Sequence, residues 1–147
     1  MSEEQTGFSA EERAAMKQRA EELRSMKGVK GAAKKAREYE ACIEAIDALT
    51  GTDRAVAEML HRVVTEVAPD LEPKTWYGFP TYAKDGKNIV FYQPATKFGT
   101  RYGSIGFEEN ASLDDGDMWP VAYAVIAVDP DVEAHLKQLV HRAAGAN

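Results

Sequence analysis

Eight of the chain's thirteen aromatic side chains fall between Trp76 and Tyr102: Trp76, Tyr77, Phe79, Tyr82, Phe91, Tyr92, Phe98 and Tyr102. Gly78, Pro80, Gly86, Pro94 and Gly99 interrupt the run at short intervals. Aromatic residues suit a pleated, half-buried surface, whereas Gly and Pro break helices and make turns. A long helix is excluded here, and a compact antiparallel sheet is the expectation. The spacing predicts strands over Trp76–Ala83, Asn88–Gln93 and Phe98–Phe107, with an Asp85-Gly86 turn after the first. The uncharged run Trp119–Val128 predicts a fourth, buried strand after an acidic loop.

Helices are expected on both sides of this sheet in the chain. Ser9 followed by Glu12 has the form of a capping box and opens a charged helix to about Met26. Gly28 and Gly31 end it. A second helix is expected from Ala32 to Leu49, with Tyr39, Cys42, Ile43, Ile46 and Leu49 on one stripe. Thr52 is placed to cap a third, Asp53–Ala68, which carries Val56, Met59, Leu60, Val63, Val64 and Val67 at helical spacing. Asp129-Pro130 starts a last helix, since Asp caps and Pro suits the first helical position. The predicted class is α+β: an antiparallel sheet of about four or more strands, helices packed on one face, and a helical N-terminal extension. The expected division is an extension over residues 1–51 and a domain over 52–147.

Charge and cysteine usage limit the function classes. The net charge of −6 disfavours binding of nucleic acid by the whole surface. The segment from Lys27 to Arg37 holds five bases and no acid, whereas Glu38 to Asn147 carries 18 acids against 9 bases. A solvated linker and helix start is the expectation for that basic segment, because no aromatics interleave for base stacking. A lone cysteine, Cys42, forms no internal disulfide. With a polar, acidic start, it points to a cytoplasmic protein. No apolar run reaches membrane-spanning length. Cys42 reads as a small buried hydrophobe, and His61, His135 and His141 as helix-rim residues.

No motif of nucleophilic, phosphate-binding or zinc chemistry is present, so a binding or carrier protein is expected rather than an enzyme. Two constellations could bind something. Glu108, Glu109, Asp114, Asp115 and Asp117 form an acidic loop whose oxygens suit a hard cation. Trp76, Tyr77, Tyr82, Phe91, Tyr102 and Trp119, with Arg101 and Lys97 nearby in sequence, could line a pocket for a small molecule or peptide in which Arg101 meets an anion. Strand alternation predicts Trp76 and Tyr82 on one face, and Tyr77 and Phe79 on the other.

The stretch from Asp53 to Ala143 resembles the YdhG-like family. The likeness rests on Trp76-Tyr77-Gly78-Phe79-Pro80, Lys87 to Tyr92, Arg101-Tyr102 with Gly106-Phe107, and Leu113-Asp114-Asp115-Gly116. Tyr-Gly-x-Pro is its most specific part. The resemblance implies a frataxin-like α+β shape and, from relatives described as iron chaperones, iron binding and delivery. The partner would be an iron-receiving protein or a second copy of the chain. The acidic loop would then supply the iron ligands. The third helix departs from the acidic ridge of frataxin: its Asp53, Glu58 and Glu66 alternate with Arg54 and Arg62.

Overall fold

The computed structural model describes residues 7–145. Its elements run α1 (Ala10–Ser25), α2 (Gly31–Asp47), α3 (Gly51–Val67), β1 (Glu72–Trp76), β2 (Phe79–Lys84), β3 (Lys87–Gln93), the single helical turn α4 (Ala95–Phe98), β4 (Gly103–Phe107), β5 (Ala122–Val125) and α5 (Pro130–Ala143). The class is α+β, with five antiparallel strands in the order β1-β2-β3-β4-β5.

Two helix starts have the expected chemistry. The Ser9 hydroxyl accepts from Glu12 N–H at 3.0 Å while Glu12 Oε1 accepts from Ser9 N–H at 3.0 Å, which closes the capping box of α1. The Asp129 carboxylate accepts from Val132 N–H at 2.9 Å at the start of α5. The third helix departs from the reading. It begins at Gly51, with Thr50 as a cap residue that makes no side-chain bond.

One core holds the fold together. The face of α3 carrying Val56, Met59, Leu60, Val63 and Val64 is buried with Leu136, Leu139 and Val140 of α5. Against them lie Tyr82, Val90, Tyr92, Ile105 and Phe107 from the sheet. Each fully buried apolar side chain contributes roughly 1.5–3 kcal/mol. Arg62–Glu133 at 2.7 Å and Lys137–Glu66 at 2.9 Å bridge α3 and α5 at the surface. Cys42 and Ile46 of α2 belong to this same cluster. The second helix therefore shares its core with the elements after residue 51, and α1 contributes only Ala15 to the buried set.

Three strand expectations are corrected. Trp76–Ala83 is not one strand, because the chain reverses at Tyr77-Gly78, and Trp76 pairs with Phe79. Tyr77 (φ 55°) and Gly78 (φ 80°) both take the left-handed conformation of a two-residue hairpin turn. The reversal places Trp76 and Phe79 on one face and Tyr82 on the other, against the simple alternation. Phe98–Phe107 is a strand only from Gly103. Before it, α4 and a left-handed Gly99 turn the chain. Trp119–Val128 yields the short edge strand β5, in which Ala122 and Ala124 are exposed rather than buried. An uncharged run does not require burial when the strand closes a sheet edge. The Asp85-Gly86 turn is as expected, with φ of 51° and 80°.

Cys42 is fully buried, and burial pushes its thiol up to about 11. The folded protein should therefore resist Ellman's reagent for hours and react completely in denaturant. Rapid stoichiometric reaction of the native protein would contradict a closed contact between α2 and the sheet.

Candidate binding cleft

The residues singled out in the sequence do not converge. Tyr82 is fully buried; its hydroxyl lies 3.0 Å from His61 Nδ1 and receives the Cys42 thiol at 3.9 Å. Burial lowers the pKa of His61 and raises that of Tyr82. A thiol, a phenol and an imidazole thus meet inside the core, where Tyr82 and Cys42 are shut off from solvent. The trio fills space and satisfies hydrogen bonds. Arg101 stacks on its own neighbour, with the guanidinium 5.0 Å from the centre of the Tyr102 ring, and both residues are exposed. Trp119 packs against the core beside the acidic loop, away from Trp76.

Trp76 and Tyr77 do lie together, in a cluster that the sequence set only partly named. The Trp76 ring centre is 5.1 Å from Tyr77, 6.3 Å from Phe79 and 5.4 Å from Phe91. Phe79 stacks on Phe91 at 5.9 Å and meets Phe98 at 5.4 Å. Phe91 precedes Tyr92, whose hydroxyl reaches Asp53 on α3, so the two rings lie on opposite faces of the sheet. Gly106, opposite Phe91, leaves room for that ring, since an added Cβ would come within 2.5 Å of it. The cluster is therefore a second apolar layer on the face away from α3.

Among the acidic residues, Glu108, Glu109, Asp114 and Asp117 border one open depression of about 530 Å³ together with Met118 and Trp119. Asp115 does not border it. Among the described residues no three His, Cys, Asp or Glu side chains are gathered so as to hold one metal ion. The loop does not fit the ligand set that an iron carrier would need.

A different constellation is built at the β1–β2 turn. Both peptide N–H groups of the turn point away from the hairpin and donate to one carboxylate. Tyr77 N–H donates to Glu22 Oε1 at 3.1 Å, and Gly78 N–H donates to Glu22 Oε2 at 2.7 Å. Arg19 adds a contact of 3.2 Å to the same carboxylate. Successive N–H groups in a turn form a concavity that favours anions. Tyr77 holds left-handed geometry without being glycine, at a cost on the order of 1–2 kcal/mol that the charged hydrogen bonds offset. Gly78 has no such cost, and Lys97 Nζ and the Gln18 amide crowd the position its Cβ would take.

Behind the turn, α1, α2 and β1 enclose a cleft of about 510 Å³. Arg19, Glu22, Lys34, Glu38, Lys74 and Lys97 line it, with Ala41, Ala45 and Leu49 as an apolar floor. Lys74 and Lys97 are half-buried, and burial lowers the pKa of both against the pull of nearby carboxylates: Glu38 and Glu22 for Lys74, Glu22 for Lys97. Among the described residues neither ammonium is part of an ion pair.

Lys97 is aimed by a buried acid on the opposite face. Asp53 is 4% exposed, and its carboxylate accepts from Tyr92 O–H at 2.6 Å, Ala95 N–H at 2.8 Å and Thr96 N–H at 3.0 Å. Burial raises its pKa, but these hydrogen bonds lower it more. They fix the start of α4, and α4 carries Lys97.

Comparison with protein-family models, curated proteins and solved structures finds no match. The function of the cleft rests on its own geometry.

Sequence reasoning missed Glu22, Lys74 and the role of Gly78. Tyr-Gly between Trp76 and Phe79 was the available signal, because a glycine at the second position of a two-residue loop marks a hairpin. Glu22 carried no signal, since 55 residues separate it from Tyr77. No helix among the described residues is long and apolar enough to cross a membrane.

Proposed function

We propose that this protein is a non-catalytic binding module that takes a small ligand in the cleft between α1, α2 and the β1–β2 turn. The observation that carries this reading is a cleft of about 510 Å³ bordered by Lys74 and Lys97, half-buried cations that belong to no ion pair among the described residues. Cavities of roughly 300–1,000 Å³ suit small molecules, and a few convergent polar groups give them specificity. Partly desolvated ammonium groups without a carboxylate partner interact strongly with an incoming anion, and Lys97 Nζ is otherwise placed over the Phe79 ring, 5.9 Å from its centre. The cationic contact expected at Arg101 passes to these lysines. YdhG-like membership and a cytoplasmic setting are parts of the same proposal. The most specific element of the resemblance, Trp76 to Pro80, builds the turn, and the lone thiol supports a reducing compartment.

A fragment screen by ¹H–¹⁵N NMR on the full chain tests the reading. Neutral and anionic fragments should shift the amides of Ala41, Ala45, Lys74 and Thr75. Lys97→Met should weaken the anionic hits at least tenfold and leave the neutral ones. Hits confined to the loop of Glu108 to Val121, or no hits at the cleft, would overturn it.

A further inference from the structure

We propose that the Tyr77-Gly78 turn is a receptor for a ligand carboxylate, and that Glu22 of α1 occupies it as an internal stand-in. The inference rests on the cleft reading above and names the chemistry of the ligand: a small molecule bearing at least one carboxylate. Three observations combine. The first is the geometry of the contact, in which each oxygen of the Glu22 carboxylate takes one adjacent N–H, at 3.1 and 2.7 Å. This fork matches a planar carboxylate. The second is the backbone. Tyr77 holds φ 55°, a conformation rare for a bulky residue and kept where surroundings require it. It is this conformation that turns the two N–H groups outward together. The third is the cationic surround: Lys97 and Lys74 both feel the Glu22 charge while pairing with no carboxylate among the described residues.

The occupant is thinly held. Among the described residues of α1 only Ala15 is buried, while Met16 and Leu23, and Phe8 just before the helix, are 45, 58 and 45% exposed. Beyond Glu22, a polar link from the end of this helix to the next runs from Arg37 Nη1 to Ser25 O at 3.2 Å. The connection to α2 passes through Gly28 at φ 78°. A tethered carboxylate competes at the effective concentration its linker sets, on the order of millimolar for a short one. An external carboxylate must displace it, and its apparent affinity falls by the fraction of time the turn is vacated. Glu22 thus sets the threshold for ligand entry, and a second anionic group on the ligand would face Lys74.

Glutarate is a suitable probe, titrated at constant ionic strength into ¹⁵N-labelled full chain and its Glu22→Ala variant, with sodium chloride as control. Glutarate should shift the Tyr77 and Gly78 amide signals in both proteins and bind at least tenfold more tightly to the variant. Glu22→Gln, which preserves shape without charge, should fall between them and serves if Glu22→Ala perturbs α1. Superposition of the remaining amide signals reports that each variant is folded. Tyr77 and Gly78 signals that do not move in either variant would overturn the proposal, as would equal affinity in all three proteins. If neutral fragments still occupy the cleft in that case, the binding-module reading stands and the carboxylate receptor alone falls. If nothing enters the cleft, both fall.

Discussion

Removing residues 1–50 should abolish cooperative unfolding, whereas removing residues 1–26 should leave a folded protein. The longer deletion takes away α2, and with it Cys42 and Ile46 from the single core. It also uncovers the fully buried Tyr82, which hydrogen-bonds His61. Two lost core side chains remove roughly 3–6 kcal/mol. That is a large part of the roughly 5–15 kcal/mol typical of a domain, even before the newly exposed sheet surface is counted. The shorter deletion removes the helix that buries only Ala15, together with the Glu22 carboxylate on the turn, and its expected effect is about 1–3 kcal/mol, short of unfolding. Urea unfolding followed by circular dichroism separates the two. A cooperative transition retained by the chain starting at Gly51 would contradict a core that includes α2.

Asp53→Asn should destabilise the fold by about 2–4 kcal/mol at neutral pH, since the carboxylate accepts three hydrogen bonds while 4% exposed. Asparagine keeps one acceptor oxygen and turns an amide donor toward the donors on the other side. The sign of the pH dependence comes from the lowered pKa of Asp53. A carboxyl group whose folded pKa lies below its unfolded value of about 3.9 stabilises fully above that value. The contribution is lost as pH falls through the folded pKa. The difference between native and variant proteins should therefore be constant from about pH 7 to 5 and shrink below about pH 4. The variant should also loosen α4 and with it Lys97, so anionic ligands should bind the cleft more weakly at neutral pH. A difference in stability that grows on acidification would contradict the role assigned to Asp53.

The helices were the legible part of this chain. Val56, Met59, Leu60, Val63 and Val64 repeat at helical spacing, and a stripe that must be buried identifies itself. Ser9 with Glu12, Asp129 with Pro130, and Asp85 with Gly86 mark helix starts and a turn by local hydrogen bonding, which spacing alone reveals. The sheet was legible in kind but not in register. A two-residue turn at Tyr77-Gly78 inverts the face of every residue before it relative to those after it. Reading Trp76–Ala83 as one strand therefore gave Trp76 the wrong neighbours. The turn α4 was hidden for another reason: it is nucleated by Asp53, whose hydrogen bonds to Ala95 and Thr96 span 42 and 43 residues. The candidate site was least legible. Of the aromatic set, Trp76 and Tyr77 adjoin the cleft's turn, Tyr82 is core and Arg101 is engaged with Tyr102. The acids of the loop are visible in sequence because they are neighbours there, but nearness along a chain does not aim side chains at one point.

The contact between Glu22 and the turn has a direct spectroscopic signature. The amide signals of Tyr77 and Gly78 would be compared at neutral pH in the full chain, in Glu22→Gln and in the neighbouring Glu21→Gln. Removing the charge in Glu22→Gln should move both signals together, Gly78 the more, because its 2.7 Å bond is shorter than the 3.1 Å bond of Tyr77. Glu21→Gln should leave both signals in place. Signals that stay in place in Glu22→Gln, or that move alike in both variants, would contradict a carboxylate seated on the turn.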